Sequence, residues 1–364
     1  MKKIVFIGVG LGTDKPAGIH RNTLELLKEL DSTEIATNCV IAIPPSEEIK
    51  YKFKNIKIKK IGRSISNYSG KLHYISRIQM FLWKNITLFH YIKKEKAVSV
   101  DMLLVFPLKC SDIVMVYDCI PERLPQFYSS KEKKKKRKKL ISHQKRALRG
   151  SRIVLTDSYH AKNDISDFYG VPQNKIKVLY CAWQHFNSIK EDEKILEKLN
   201  LAPHRYFFSL GSRFPHKNIK WVTCAAKQNP DYIFVVSGQK SSFKDTSFEG
   251  DIPSNMIFCG YLEDSEVKSL MKNCLAFIQP SIYEGFGLPP MEAMSVGANC
   301  IVSNRTALPE IYKKSVWYIN PDEYDNINMS RIMSQDKESN EIVLDQYSWN
   351  NSARVFQDIV KHIV

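Results

Sequence analysis

A chain of 364 residues with 43% apolar and 25% charged content is too long for one hydrophobic core and too apolar for disorder, so two globular domains are expected. Its eight cysteines are scattered without a CxxC pair or a histidine cluster, which argues against a zinc site and for free thiols in a reducing compartment. The net charge of +16 is one-sided: residues 1–190 hold 36 Lys and Arg against 16 Asp and Glu (+20), whereas residues 191–364 hold 18 against 22 (−4), so the first half calls for an anionic partner, membrane surface or nucleic acid.

Residues 3–10 (KIVFIGVG) make a continuous apolar run ending in glycines, the pattern of a parallel strand covered on both faces. This run is too short for a secretion signal, and no stretch reaches the ~20 apolar residues of a membrane span, so a cytoplasmic location is expected. After a loop with Asp14, Pro16 and Gly18, leucines recur at helical spacing over 22–30. Gly8-Val-Gly-Leu-Gly12, with Asp31 downstream, resembles a dinucleotide fingerprint, but its spacing is GxGxG and NAD binding is not inferred. Strands are expected over 101–106, 113–117, 153–156 and 176–180.

The segment from Lys131 to Lys139 (KEKKKKRKK) reads either as a solvated helix face or as a patch for anionic lipid head groups. No nucleic-acid module or aromatic-interleaved basic motif accompanies it, so nucleic acid is set aside. Polar residues around 184–204 suggest a boundary, giving an N-terminal domain over 1–185, a linker over 186–203, a C-terminal domain over 204–345 and a closing helix over 346–364. The second half repeats the alternation, with strands at 206–210, 232–237, 256–259, 275–279 and 299–303 and helices near 218–228, 265–272 and 290–296. Two α/β halves in tandem place the expected ligand site in the cleft between them.

In 275–297 an apolar strand runs into Glu284-Gly285-Phe286-Gly287-Leu288 and then a helix opened by Pro289 and Pro290. Such a turn offers backbone N–H groups and a helix dipole to a phosphate or sugar hydroxyl, and glycines allow close approach. Glu284 and Glu292 bracket it, and carboxylates accept paired hydrogen bonds from vicinal hydroxyls. Read alone, the two glutamates are equally ordinary helix-start acids, and Arg213 and Lys217 equally ordinary loop bases.

Taken together, Glu284 and Glu292 around GFGLPPM resemble the E-x7-E motif of the retaining GT4 glycosyltransferases, and the likeness covers most of the chain. Residues 209–218 (SLGSRFPHKN), with Gly211, look like the family's strand-to-loop element. Gly18-Ile-His-Arg is similar to its glycine-rich turn, 117–125 (YDCIPERLP) to its HDxxP segment, and 152–177 to its strand-helix-strand. Residues 303–310 resemble the loop after the E-x7-E helix, and 347–353 (YSWNNSA) its closing helix.

The resemblance implies an α/β fold of the GT-B type, two Rossmann-like domains facing a central cleft with a C-terminal helix crossing back to the first. It implies that Arg213 and Lys217 hold the donor diphosphate, that Glu292 holds the ribose and Glu284 the donor sugar, and that Gly285, Phe286, Gly287, Leu288, Gly211 and Gly18 line the donor site. Tyr117 stands where many members have histidine, which weakens any proton-shuttle role there, since a phenol titrates near ~10. Asp118 reads as a donor- or acceptor-orienting group or as a structural strand-end acid.

The reaction so implied is retaining transfer of a hexose to a glycan hydroxyl in bacterial surface polysaccharide (O-antigen or capsule) synthesis, with no cofactor and no metal. GDP-mannose is the expected donor, by likeness to the mannosyltransferase-B branch. A lipid-diphosphate-linked oligosaccharide is the expected acceptor, at the inner face of the cytoplasmic membrane. A UDP- or dTDP-sugar transferase, a sugar-nucleotide epimerase and a non-catalytic basic binding protein stay as alternatives.

Overall fold

The computed structural model describes residues 2–13, 18–66, 73–104, 111–210, 214–238 and 252–363. The chain forms two compact units, Met1–Tyr180 with Trp349–Val364, and Cys181–Ser348. The final helix, Trp349–Lys361, therefore belongs to the first unit, where Phe356 lies 5.4 Å from Phe6 and Ser352 Oγ donates to the Tyr180 carbonyl at 2.7 Å. Residues 186–203 belong to the second unit, where Lys268 Nζ donates to the carbonyls of Phe186 (3.0 Å) and Ile189 (2.8 Å).

The first unit is built on β1 (Ile4–Ile7), β2 (Cys39–Ile43), β3 (Lys57–Lys60), β4 (Val98–Asp101), β5 (Ile113–Met115), β6 (Ile153–Thr156) and β7 (Ile176–Val178). All pairs are parallel, in the order β3-β2-β1-β4-β5-β6-β7. Every side chain of β1 is buried, which is why the sequence there is apolar without alternation. Edge strand β3 is Lys-Ile-Lys-Lys and exposed throughout, a composition that discourages pairing with another chain.

The second unit holds β8 (Tyr206–Ser209), β9 (Ile233–Val236), β10 (Met256–Phe258), β11 (Ala276–Gln279), β12 (Cys300–Ser303) and β13 (Trp317–Ile319), again all parallel, in the order β10-β9-β8-β11-β12-β13. Its core packs Phe207 on Phe234, ring centroids 5.1 Å apart, with Trp221 and Ile278 around them. Burying each such ring contributes on the order of 2–3 kcal/mol. In both sheets the strand order reverses once, at β1/β4 and at β8/β11, and the loops leaving the carboxyl ends of those strands are where ligands of such sheets bind.

One sequence expectation needs correcting. The strand expected over 101–106 lies at Val98–Asp101 instead. Ser99 masked its start, yet Ser99 is buried with its N and Oγ bonded to the Asp112 carboxylate at 2.9 and 2.7 Å. Met102 and Leu103, just beyond the strand, are buried too, which accounts for their apolar character. The glycines of the GxGxG stretch serve packing: a Cβ on Gly8 would stand 2.5 Å from Ile41 Cγ2, and one on Gly12 1.7 Å from the Glu48 carbonyl oxygen. Asp31, the acid a dinucleotide site would need, accepts the N–H groups of Lys54, Asn55 and Ile56 at 2.6–2.8 Å, so its carboxylate ties a loop.

Candidate functional site

The loop leaving β11 carries the E-x7-E segment into the helix Leu288–Ser295. Gly287 caps that helix at φ +85°, a left-handed backbone that a side chain resists, and a Cβ there would lie 2.5 Å from Leu308 Cδ2 and 3.2 Å from Gln279 Nε2. Pro289 follows where a missing N–H costs nothing. The buried Tyr312 hydroxyl accepts from Met291 N at 3.0 Å and donates to the Gly287 carbonyl, clamping the first turn. Gly287→Ala is expected to destabilise the second unit by about 2 kcal/mol through the positive φ and the crowding of Gln279. A urea titration monitored by tryptophan fluorescence checks this, and an unshifted midpoint would refute it.

Glu284 is buried, and Lys217 closes on it from the loop after β8: Nζ stands 2.7 Å from Oε1 and 3.0 Å from Oε2. Gln279, the last residue of β11, donates Nε2 to Oε1 at 3.0 Å, and the Glu284 backbone N–H donates to Thr306 Oγ1 at 3.0 Å. Burial pushes the Glu284 carboxyl up, but the charge and hydrogen bonds of Lys217 outweigh it and hold the pKa below the ordinary value. His216 moves the other way, down to about 4, because burial and the adjacent Lys217 ammonium both disfavour its cation. Lys217 is thus the cation facing outward from this cluster, its side chain 26% exposed and able to meet an anion.

What places Lys217 is its neighbour. Asn218 adopts φ +54° and donates Nδ2 to the carbonyls of Pro280 (3.1 Å) and Pro321 (2.8 Å), while Tyr324 OH donates to its Oδ1 at 3.2 Å. The β8 and β11 loops are stitched together there, across the point where the strand order reverses.

Glu292 sits inside the helix Leu288–Ser295, buried, with Oε1 2.9 Å from His185 Nε2. His185 comes from the short 3-10 turn Gln184–Ser188, whose Gln184 Nε2 donates to the Tyr347 carbonyl at 3.0 Å. Phe286 is buried against Tyr347, ring centroids 5.7 Å apart and perpendicular. Of the other expected residues, Gly285 is buried and Leu288 half-buried in the same turn. Gly211 and Arg213 lie outside the described residues.

Gly18, Tyr117 and Asp118 belong to the first unit. Gly18 opens the helix Gly18–Leu30, in which Thr23 Oγ1 lies 3.5 Å from Tyr117 OH, so these two elements meet beyond the carboxyl end of the sheet. Asp118 Oδ1 accepts from Ile120 N at 3.1 Å and its carbonyl accepts from Gln144 Nε2 at 2.9 Å. Sequence reasoning missed Gln279, His216, Thr306 and His185. Only Gln279 left a signal, a polar residue closing an otherwise apolar strand.

The two parallel-sheet units define a GT-B glycosyltransferase fold. The chain aligns over 100% of its length and 99% of the partner with sucrose-phosphate synthase of Thermosynechococcus elongatus, TM-score 0.72 at 14% identity, a likeness of fold alone. Residues 191–342 match the model of the family "Glycosyl transferases group 1".

Among curated relatives, the O-antigen chain mannosyltransferase RfbU of Salmonella typhimurium is 30% identical over 184 residues, covering 49% of this chain and 50% of that protein. The O-antigen chain mannosyltransferase B of Escherichia coli is 29% identical over 225 residues, covering 56% and 59% respectively. The chain thus spans between half and three fifths of the length of these relatives.

Proposed function

We propose that this protein transfers a mannosyl residue from a nucleotide diphosphate, GDP-mannose, to a hydroxyl of a surface-polysaccharide acceptor, with retention of anomeric configuration. The observation that carries this reading is the Lys217 ammonium, held by the buried Glu284 at the reversal point of the second sheet, beside a helix N-terminus. The ammonium and the amides of Phe286, Gly287 and Leu288 suit the charge that gathers on a departing diphosphate. Glu292 suits a ribose diol and Glu284 the donor sugar hydroxyls. The names of the two mannosyltransferase relatives support mannose and an O-antigen chain acceptor.

In this scheme the anomeric C–O bond to the diphosphate breaks while the acceptor oxygen bonds the same carbon on the same face. The acceptor proton passes to the departing diphosphate oxygen. Lys217, with Arg213 as a second cation by family likeness, replaces the divalent ion that a metal-dependent transferase would use.

Thermal shifts with GDP, UDP and dTDP test the donor site. GDP is expected to stabilise the second unit, by about 2.7 kcal/mol at a hundredfold excess over Kd. Turnover of GDP-mannose should then persist in excess chelator. A shift with none of the three removes the donor-site reading, a shift with UDP alone removes mannose, and turnover restored only by added metal removes the metal-independent scheme.

A further inference from the structure

Tyr74, Ile78, Phe81, Leu82 and Ile86 are each between 44% and 59% exposed. They recur at three- to four-residue steps along a continuous helical run formed by His73–Leu82, the π-helical turn Trp83–Leu88 and Phe89–Lys94, so they make one outward apolar stripe. The opposite face is firmly seated. Trp83 Nε1 donates to the Ile61 carbonyl at 2.7 Å, Lys84 pairs with Asp101 at 2.9 Å with both side chains buried, and Leu88 and Ile92 lie in the core. This run therefore hides one apolar face and shows another, which a helix bathed only in water has no reason to do.

The charge along this stretch of sequence has a single sign. Residues 49–94 contain twelve Lys and Arg and no Asp or Glu. Nearby, the helix Lys131–Gly150 presents Lys133, Lys134, Lys135 and Lys136 to solvent, anchored behind by Arg137 to the Pro121 carbonyl and by Gln144 to the Asp118 carbonyl. The two helical segments are neighbours: burial and the Arg77 guanidinium lower the Lys139 pKa, and burial with Lys139, Arg146 and Arg77 lowers that of His143.

We propose that the stripe and the lysine-rich helix form one docking surface for an anionic phospholipid bilayer. Tyr74, Ile78, Phe81 and Ile86 enter the head-group boundary while the lysines meet lipid phosphates. A nucleic acid or an acidic protein would satisfy the lysines and leave the stripe in water, and a second copy of this chain would set lysine against lysine. The surface is independent of the donor chemistry proposed above, so the test contains no nucleotide sugar and reads partition alone.

The full chain is sedimented at moderate salt with phosphatidylcholine vesicles, with and without phosphatidylglycerol. Partition is expected to be at least about tenfold stronger onto the anionic vesicles. Replacing Lys133, Lys134, Lys135 and Lys136 by Gln together should weaken it on the order of a hundredfold, and the pair Ile78→Ser with Phe81→Ser about tenfold. All these side chains are exposed, so melting temperatures should stay within a few degrees of the parent. Absence of partition, an Ile78/Phe81 variant that partitions like the parent, or one that instead splits a dimer into monomers would each overturn the proposal.

Discussion

Lys217→Ala is expected to lower turnover of the nucleotide sugar by a factor on the order of 10³. Two losses combine. The departing diphosphate loses its cation, and the buried Glu284 carboxylate loses both Lys217 contacts while keeping the Gln279 amide. Burial then dominates the Glu284 carboxyl, so its pKa should climb above the ordinary carboxylate range, and the residual activity should rise with pH where the parent's is flat. Stability should fall by about 2 kcal/mol, less than for a fully buried pair because the lysine is partly solvated.

Adding Glu284→Gln to the variant should restore part of that stability while leaving turnover low. This separates a binding cation from a merely structural one. Steady-state kinetics and urea titration of both variants suffice as measurements. A correctly folded Lys217→Ala protein with near-parental rates would remove Lys217 from the site.

How much of this was legible beforehand depended on burial symmetry. Strands such as β1 and β11, covered on both faces, read directly from unbroken apolar runs. Strand β3, Lys-Ile-Lys-Lys, could not be found that way, because as an exposed edge it carries no apolar signature. The helical run around Trp83 hid for the opposite reason, its two apolar faces leaving no amphipathic stripe to recognise.

In the site, Glu284 and Lys217 are 67 residues apart, and their pairing follows from the parallel neighbours β8 and β11 rather than from local pattern. His185 is the extreme case: its contact with Glu292 spans 107 residues. Nothing about a lone histidine in a polar turn announces it. Gly8 and Gly12 are required by the closeness of Ile41 and Glu48, a tertiary constraint that imitates a nucleotide motif without its spacing.

The pH dependence of stability should be carried in two separate windows by the two residues that share the Lys217 cluster. His216 has an ordinary value of 6.5 and a folded value of about 4. Between these the unfolded chain binds the proton and the folded one does not, so stability rises with pH through this window, is complete above 6.5 and is lost as pH falls toward 4. The full swing is about 3 kcal/mol. Glu284 acts lower: its folded pKa lies below the ordinary 4.5, so its contribution is present above 4.5 and disappears as pH falls through the depressed folded value. His216→Gln, neutral at every pH, should therefore flatten the difference in urea midpoint between pH 7 and pH 5 while leaving the acid limb below about 4 in place. A variant whose stability still falls as steeply as the parent's between pH 6.5 and 5 would show that His216 is not the group held neutral beside Lys217. That neutrality matters for the site, because an uncharged imidazole adds no second positive charge against the ammonium that the donor's diphosphate would meet.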